Sequence, residues 1–272
     1  MIGIVTIGIA AGTMLVMAVV MSYILGWANK KFHVEVDPRV EAVTEALPGA
    51  NCGGCGFLGC SDYAVAIVAN NAPVNKCPVG GESCAAKVAA IMGVDVVGES
   101  VPSRAVVHCG AYTNDKAGKS EYRGEQRCAA AHLVAGIQDC TFGCLGFGDC
   151  VVACKYDAMH VNDGLATVDY NKCVGCGACV KACPRMIIAM ADFNEDKVPA
   201  ILCSNRDKGK DVTSACAVGC MGCKACIKVS DIITMSGDLA ILDASAYTYE
   251  NVEGAEKAIE KCPRNTIAFI GK

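Results

Sequence analysis

The sequence predicts an α+β protein in which a single N-terminal membrane helix precedes several small cysteine-rich modules. Three observations lead to this fold class. Residues 2–28 carry no charged side chain, and the 21 cysteines fall mostly into four spaced groups. Residues 159–169 alternate around an Asn-Asp-Gly turn, as a β-hairpin does. Because only 6% of the residues are aromatic, we expect small modules held together by metal instead of one large core.

The first predicted element is a transmembrane anchor over residues 1–28. About 20 apolar residues can cross a bilayer as a helix. Lys30 and Lys31 follow the segment directly, which predicts that its C-terminal side is cytoplasmic. A cleaved signal peptide is the alternative, but the segment lacks a basic start and its apolar run is too long. We therefore expect a single-pass protein of the cell membrane, with its N-terminus outside and its cysteine modules in the cytoplasm.

Residues 29–100 are predicted to form a small helical module around one [4Fe-4S] cluster. Asp37-Pro38 is typical of a helix start, and Pro48 ends that helix. A tight triple of cysteines follows, and Cys77-Pro78 supplies a distant fourth. Zinc is the alternative, although zinc ligands usually come as two separated pairs. The predicted ligands of this cluster, called site 1, are Cys52, Cys55, Cys60 and Cys77.

The first module also carries a resemblance to a known family. LPGANCGGCGFLGC at residues 47–60, CPVGG at 77–81 and the preceding membrane helix resemble the B polypeptide of the Rnf complex, its iron–sulfur electron-transfer subunit. That complex is a membrane-bound, ion-translocating ferredoxin:NAD oxidoreductase. The resemblance covers nearly the whole chain. It implies that soluble reduced ferredoxin is the electron donor, that other membrane and peripheral subunits are partners, and that NAD reduction is coupled to Na+ or H+ translocation.

Residues 135–192 are predicted to form a two-cluster ferredoxin domain. The run from Cys173 to Pro184 is the C-x2-C-x2-C-x3-C-P pattern of bacterial ferredoxins, whose fourth cysteine serves the other cluster. The first half is an expanded version, with Lys155 in place of the usual proline. Each half therefore lends its last cysteine to the other. The predicted ligands are Cys140, Cys144, Cys150 and Cys183 for site 2, and Cys154, Cys173, Cys176 and Cys179 for site 3.

Residues 193–272 repeat the theme imperfectly, as a degenerate ferredoxin-like domain with one cluster. The segment from Cys220 overlays that from Cys173, except that Ser230 replaces the fourth cysteine, and no second triple is present. Cys216 is left open as an alternative ligand. The predicted ligands of site 4 are Cys220, Cys223, Cys226 and Cys262.

Residues 101–134 are predicted to be a linker that supplies one strand and a connecting loop. Sites 1 to 4 use 16 cysteines, and five remain without companions at ligand spacing. Lone cysteines usually act as small buried hydrophobes, so we expect a structural role for these five. They are Cys84, Cys109, Cys128, Cys203 and Cys216.

The cysteine pattern predicts electron transfer through four [4Fe-4S] clusters, and no catalytic residue of another kind. Neither a Rossmann glycine fingerprint nor a P-loop is present, so no NAD or flavin site is expected on this chain. The net charge of −4 gives no reason to expect nucleic-acid binding. A related membrane complex that keeps a redox-sensing transcription factor reduced fits the same cysteines and is the alternative function. Lysines near the clusters could steer an acidic ferredoxin or be ordinary solubilising charges. They are Lys172, Lys181, Lys224 and Lys228.

Overall fold

The chain folds into nine helices and eight short strands within the described residues, and its computed structural model describes residues 2–32, 37–96, 101–118 and 120–272. The predicted module boundary at residue 100 lies outside the described residues. The helices are α1 (Ile2–Lys31), α2 (Pro38–Ala46), α3 (Cys60–Val68), α4 (Gly81–Met92), α5 (Cys128–His132), α6 (Asp149–Ala153), α7 (Ala178–Ala182), α8 (Gly209–Ala215) and α9 (Val252–Glu260). The strands are β1 (Ser103–Val107), β2 (Met159–Asn162), β3 (Leu165–Val168), β4 (Ile188–Asp192), β5 (Lys197–Ile201), β6 (Ile233–Ser236), β7 (Leu239–Leu242) and β8 (Ile267–Gly271).

Helix α1 has the length and composition of a membrane span. Its 30 residues extend for about 45 Å at the α-helical rise, which exceeds the hydrocarbon thickness of a bilayer. The stretch Ile7–Lys31 has a mean hydropathy of 2.1, and none of its most apolar window is buried within the protein. Its side chains thus remain available to lipid.

Helices α2, α3 and α4 form the N-terminal module, which the sequence predicted as helical. The Asp37 side chain caps α2 by accepting a hydrogen bond from the backbone N of Arg39 at 2.9 Å. Val43, Tyr63 and Val88, one from each helix, are buried together. The helix start predicted at Asp37-Pro38 is confirmed.

Residues 101–192 build a first unit from two antiparallel strand pairs. β1 pairs with β4, with Ser103 opposite Asp192, and β2 pairs with β3, with Met159 opposite Val168. The hairpin predicted at 159–169 is therefore confirmed. β1 is the strand expected from residues 101–134, and its pairing joins that segment to the first unit instead of leaving it as a linker.

Residues 193–272 build a second unit on the same plan. β5 pairs antiparallel with β8, with Lys197 opposite Gly271, and β6 pairs with β7 as a hairpin. In both units the first strand of the segment pairs with its last strand. The two units are thus structural repeats of one another.

The two units pack side by side around a shared core. Val106 of β1 is buried with Val198 of β5 and Tyr247 in one apolar cluster. Lys116 and Cys216 form an isolated backbone bridge between the units. These contacts fix the cysteines of one unit against those of the other.

Candidate iron–sulfur sites

Site 3 is held in a loop in which Gly175 leaves no room for a side chain. Gly175 lies between two cysteines of the triple at φ +75°, and an added Cβ would collide with the carbonyl oxygen of Ser103. Gly222 occupies the matching place in the second unit at φ +70°. A glycine is required at both positions because other residues rarely adopt this backbone. The two triples consequently fold alike.

The four cysteines of site 3 lie close enough to influence one another. Burial first, and then the neighbouring Cys173, Cys176 and Cys154, raise the pKa of Cys179 to about 11. Cys154 arrives from the end of α6, and α6 packs against α7. The exchange of last cysteines predicted from the sequence is consistent with this arrangement.

Site 1 lies in the N-terminal module, where α3 begins at Cys60. Two backbone N–H groups face its sulfurs. Gly54 N lies 3.5 Å from Cys52 Sγ, and Gly80 N lies 3.4 Å from Cys77 Sγ. N–H donors of this kind stabilise a cluster thiolate.

Site 2 differs from its predicted composition. Cys144, Cys150 and Cys183 line one small cavity, and the fourth cysteine in that cavity is Cys128. The neighbouring Cys144, Cys128 and Cys183 also contribute, after burial, to raising the pKa of Cys150 to about 12. Cys140 lines a different cavity. We therefore infer that Cys128, which α5 brings to the cavity from outside the expanded motif, takes the place predicted for Cys140, and we call this set corrected site 2.

Site 4 has its four predicted cysteines around one cavity. Cys262 lies at the end of α9, and its Sγ accepts a hydrogen bond from Thr266 N at 3.3 Å. Ser230, which replaces a ligand cysteine, is buried with its backbone N bonded to Cys226 O. Cys216 does not line this cavity, so the structure gives no support to Cys216 as a ligand of site 4.

The five leftover cysteines fall into three groups. Cys84 is buried in the N-terminal module, where its thiol donates to the carbonyl oxygen of Ala46 at 3.4 Å, as a structural cysteine would. Cys128 belongs to corrected site 2. Cys109, Cys203 and Cys216 line a further cavity together with Cys140.

The last cysteines of the three ferredoxin-type motifs, Cys154, Cys183 and Cys262, share one local geometry. In all three cases the residue three positions further on has a positive φ. These residues are Asp157, Met186 and Asn265, with φ values of 50°, 51° and 49°. The next backbone N–H donates to the sulfur in two of the three cases, from Ala158 to Cys154 and from Thr266 to Cys262.

The cavities suit a cluster better than they suit a single ion. Within the described ranges, no group of three or more His, Cys, Asp or Glu side chains converges tightly enough to hold one metal ion. A cubane binds its four thiolates through four different irons, so its ligands stand further apart than those of tetrahedral zinc.

Two buried arginine atoms support the same interpretation. Arg185 lines the cavity of corrected site 2, and Arg264 lines that of site 4. The Nε of each is buried with no hydrogen-bond partner in the described part of the chain. Because a buried donor without a partner is costly, a sulfur of a cluster bound in the cavity would supply the acceptor that each Nε lacks.

The lysines considered for steering have different surroundings. Lys172 pairs with Asp157, and Lys181 Nζ donates to the carbonyl oxygen of Cys52 at 3.4 Å. Lys224 and Lys228 are exposed next to site 4. Only the last two remain suited to meeting a partner.

Buried cysteine sets on a ferredoxin-like repeat, preceded by an apolar helix, define an iron–sulfur protein of the electron-transfer class. Residues 47–79 match the family profile described as "Putative Fe-S cluster", and residues 166–189 match "4Fe-4S binding domain".

Curated relatives extend over most of the chain. It is 41% identical over 265 residues to the B polypeptide of the ion-translocating oxidoreductase complex of Methanosarcina acetivorans, covering 96% of this chain and 94% of the relative. It is 39% identical to the B polypeptide of the Na(+)-translocating ferredoxin:NAD(+) oxidoreductase complex of Acetobacterium woodii, covering 90% and 72% respectively. It is 36% identical to the proton-translocating counterpart of Clostridium ljungdahlii, covering 94% and 90%. The chain belongs to the family of B polypeptides of ion-translocating oxidoreductase (Rnf) complexes.

Proposed function

We propose that this chain is the electron-relay subunit of an ion-translocating ferredoxin:NAD oxidoreductase. It takes electrons from reduced ferredoxin and passes them to partner subunits, in a complex that couples NAD reduction to Na+ or H+ translocation. The observation that carries the proposal is the close succession of three cysteine sets, those of site 1, site 3 and corrected site 2. Family membership supports it, since relatives are named as subunits of ferredoxin:NAD(+) oxidoreductase complexes.

Four sets of cysteines would hold [4Fe-4S] clusters, which carry single electrons when bound. Three sets are the predicted ones, and site 2 takes the corrected composition. They are site 1 (Cys52, Cys55, Cys60, Cys77), corrected site 2 (Cys128, Cys144, Cys150, Cys183), site 3 (Cys154, Cys173, Cys176, Cys179) and site 4 (Cys220, Cys223, Cys226, Cys262).

The N-terminal module docks its site directly onto site 3. A Cβ added at Gly54 would lie 3.3 Å from the carbonyl oxygen of Cys176, so the two backbones are in close approach. Lys181 Nζ reaches across to the carbonyl of Cys52. Cys154 at the end of α6 belongs to site 3, and Cys183 at the end of α7 belongs to corrected site 2, so these two helices link the two sites. Sites 1, 3 and corrected site 2 therefore follow one another directly.

The membrane anchor gives this relay an end near the bilayer. Lys30 and Lys31 are in the last turn of α1, and the positive-inside rule puts that end in the cytoplasm. The cysteine modules then lie on the cytoplasmic side, where thiols stay reduced. Site 1 follows the anchor most closely in the chain and is the natural exit toward membrane partners.

Site 4 is the natural entry for a soluble donor. Cys223 is the one exposed cysteine among the described residues, and the exposed cations Lys224 and Lys228 follow it in the chain. Positive side chains beside an accessible site favour encounter with an acidic protein. Ferredoxin is expected to dock here.

Membranes of a deletion strain test the proposal. Reduced ferredoxin and NAD are supplied anaerobically, and NADH formation is followed. We expect the activity to be lost on deletion and restored by the wild-type chain and by Cys84→Ser, a buried cysteine outside all sites. Cys226→Ser should not restore the activity, although Cys226 is a buried cysteine as Cys84 is. Unchanged NADH formation in deleted membranes would refute the proposal, and if a redox-sensing transcription factor then became oxidised in those cells, the regulatory alternative would replace it.

A further inference from the structure

A cavity between the two units is lined by four cysteines that sites 1, 3, 4 and corrected site 2 do not use. They are Cys109, Cys140, Cys203 and Cys216. We call this the bridging cavity. All four cysteines are buried, with 6% to 9% of each exposed. The empty space in the cavity is about 380 Å³, against about 390 Å³ at site 4 and about 360 Å³ at corrected site 2. The bridging cavity therefore matches site 4 and corrected site 2 in size and in its lining of four cysteines, and its cysteines are the more buried.

The four cysteines are contributed symmetrically by the structural repeat. Cys109 stands two residues after the end of β1, and Cys203 stands two residues after the end of β5. The other two also correspond through their contacts. Arg185 donates to the carbonyl oxygen of Cys140, and Arg264 donates to that of Cys216. Each arginine follows the cysteine–proline pair of its own unit, so each unit supplies two equivalent cysteines to one shared cavity.

Polar groups around these sulfurs are those of a thiolate site. Cys109 Sγ accepts from Cys144 N at 3.4 Å, and Cys203 Sγ accepts from Cys220 N at 3.4 Å. Cys140 Sγ accepts from the side-chain amide of Asn205 at 3.5 Å. Donors of this kind favour cluster-bound thiolates and are not required by apolar thiols packed as core filler.

A buried cation also lines the cavity. Lys116 is 7% exposed, and its Nζ donates to the carbonyl oxygens of Cys144 and Gly164. An ammonium is rarely buried unless negative charge or many acceptors surround it. Four thiolates around a cubane would provide that negative charge, whereas four neutral thiols would not.

We propose that the bridging cavity holds a fifth [4Fe-4S] cluster, ligated by Cys109, Cys140, Cys203 and Cys216. It touches corrected site 2 through the Cys144–Cys109 contact and site 4 through the Cys220–Cys203 contact. The fifth cluster joins the relay of the first unit to the last site of the second. The role of the fifth cluster in the relay rests on the proposed function, whereas its presence in the cavity does not.

Iron content of the full-length chain, purified anaerobically in detergent, tests the site. Five cubanes give about 20 irons and 20 sulfides per chain, and four give about 16. Cys203→Ser combined with Cys216→Ser is expected to remove about four irons, while the matched control Cys84→Ser keeps the wild-type content. Wild-type protein with about 16 irons, unchanged by the double substitution, would overturn the proposal, as would zinc in the cavity.

A native mass spectrum of the wild-type chain gives the same answer without any variant. Five cluster masses above the polypeptide support the bridging site, and a maximum of four contradicts it, so a double variant that fails to fold leaves the test intact. The result is also separable from the relay itself. Five clusters on a chain whose deletion spares NADH formation would retain the site and reject the proposed function.

Discussion

Replacing Lys116 by methionine is expected to lower the reduction potential of the clusters next to it. Methionine is unbranched and only one atom shorter than lysine, and it removes the charge. Lys116 Nζ lies 2.8 Å from the carbonyl oxygen of Cys144 and 2.7 Å from that of Gly164, and it faces the bridging cavity. Within the described residues, no carboxylate oxygen lies within 4.0 Å of it. Its positive charge therefore acts on the neighbouring clusters without a paired anion.

The size of the effect follows from Coulomb's law. A unit charge about 8 Å from a cubane, at an effective dielectric constant of about 20, favours the added electron by about 2 kcal/mol. For a one-electron couple about 59 mV corresponds to a tenfold change in the equilibrium constant, or about 1.4 kcal/mol. The substitution should therefore lower the potential by roughly 50 to 100 mV. It also leaves two carbonyls without their donor, at about 1–3 kcal/mol each if they stay dry.

Potentiometric EPR titration of the anaerobically purified chain measures these potentials. Lys210→Met is the matched control, because Lys210 lies on α8 and is exposed, so solvent and salt screen its charge. Lys116→Arg retains the charge and should preserve most of the wild-type potential. The reasoning is refuted if Lys116→Met shifts no cluster more than Lys210→Met does.

Three further outcomes follow from other contacts. Cys128→Ser should remove about four irons from the chain, and iron analysis measures this loss with Cys84→Ser as the control. An equal iron content in both variants would return site 2 to the predicted composition with Cys140. Lys228→Glu should raise the KM for reduced ferredoxin several-fold at low salt and less at high salt, whereas Lys87→Glu, at an exposed position of α4, should not. An equal effect from Lys87 would move the docking surface to the other end of the molecule. Tyr63→Phe should cost about 1–3 kcal/mol of unfolding free energy in denaturant titration, because its hydroxyl donates to Pro73 O and accepts from Lys76 N; an unchanged midpoint would show that water replaces both bonds.

Sequence patterns identified what is local along the chain. The triple from Cys173 to Cys179 and its counterpart from Cys220 to Cys226 predicted two sites because their ligands share one loop each. The apolar helix and the hairpin around Asp163 were likewise predictable, since a run of apolar residues or a turn determines them. Such elements need no knowledge of the tertiary fold.

Corrected site 2 could not be predicted in this way because its ligands are brought together by distant pairing. Cys128 lies 16 residues before Cys144, and α5 carries it past the expanded motif. Cys140 is closer to Cys144 in the sequence than Cys128 is, yet Cys140 lines the bridging cavity. Spacing alone favours the nearer cysteine, whereas the packing of α5 decides the outcome.

One signal in the sequence does anticipate the bridging cavity. Val106-Val107-His108-Cys109 and Ala200-Ile201-Leu202-Cys203 each place a cysteine two residues after a short apolar strand. The strands β1 and β5 are recognised as equivalent only when β1 is assigned to the first unit instead of to a linker. Treating residues 101–134 as a linker separated Cys109 from its repeat, and so concealed the pair.

The replacement of one cysteine by Ser230 explains why the second unit needs a shared site. An intact two-cluster unit would hold a second cubane beside site 4. One ligand of that cubane would be a cysteine at position 230, where the buried Ser230 stands instead. Site 4 alone would then be separated from the first unit by protein, and electron transfer slows steeply across an unbridged gap. The bridging cavity lies in that gap, with Cys203 in contact with Cys220 of site 4 and Cys109 in contact with Cys144. In the proposed relay, the second unit would lack an internal cluster and keep continuity through the one that it would share with the first unit.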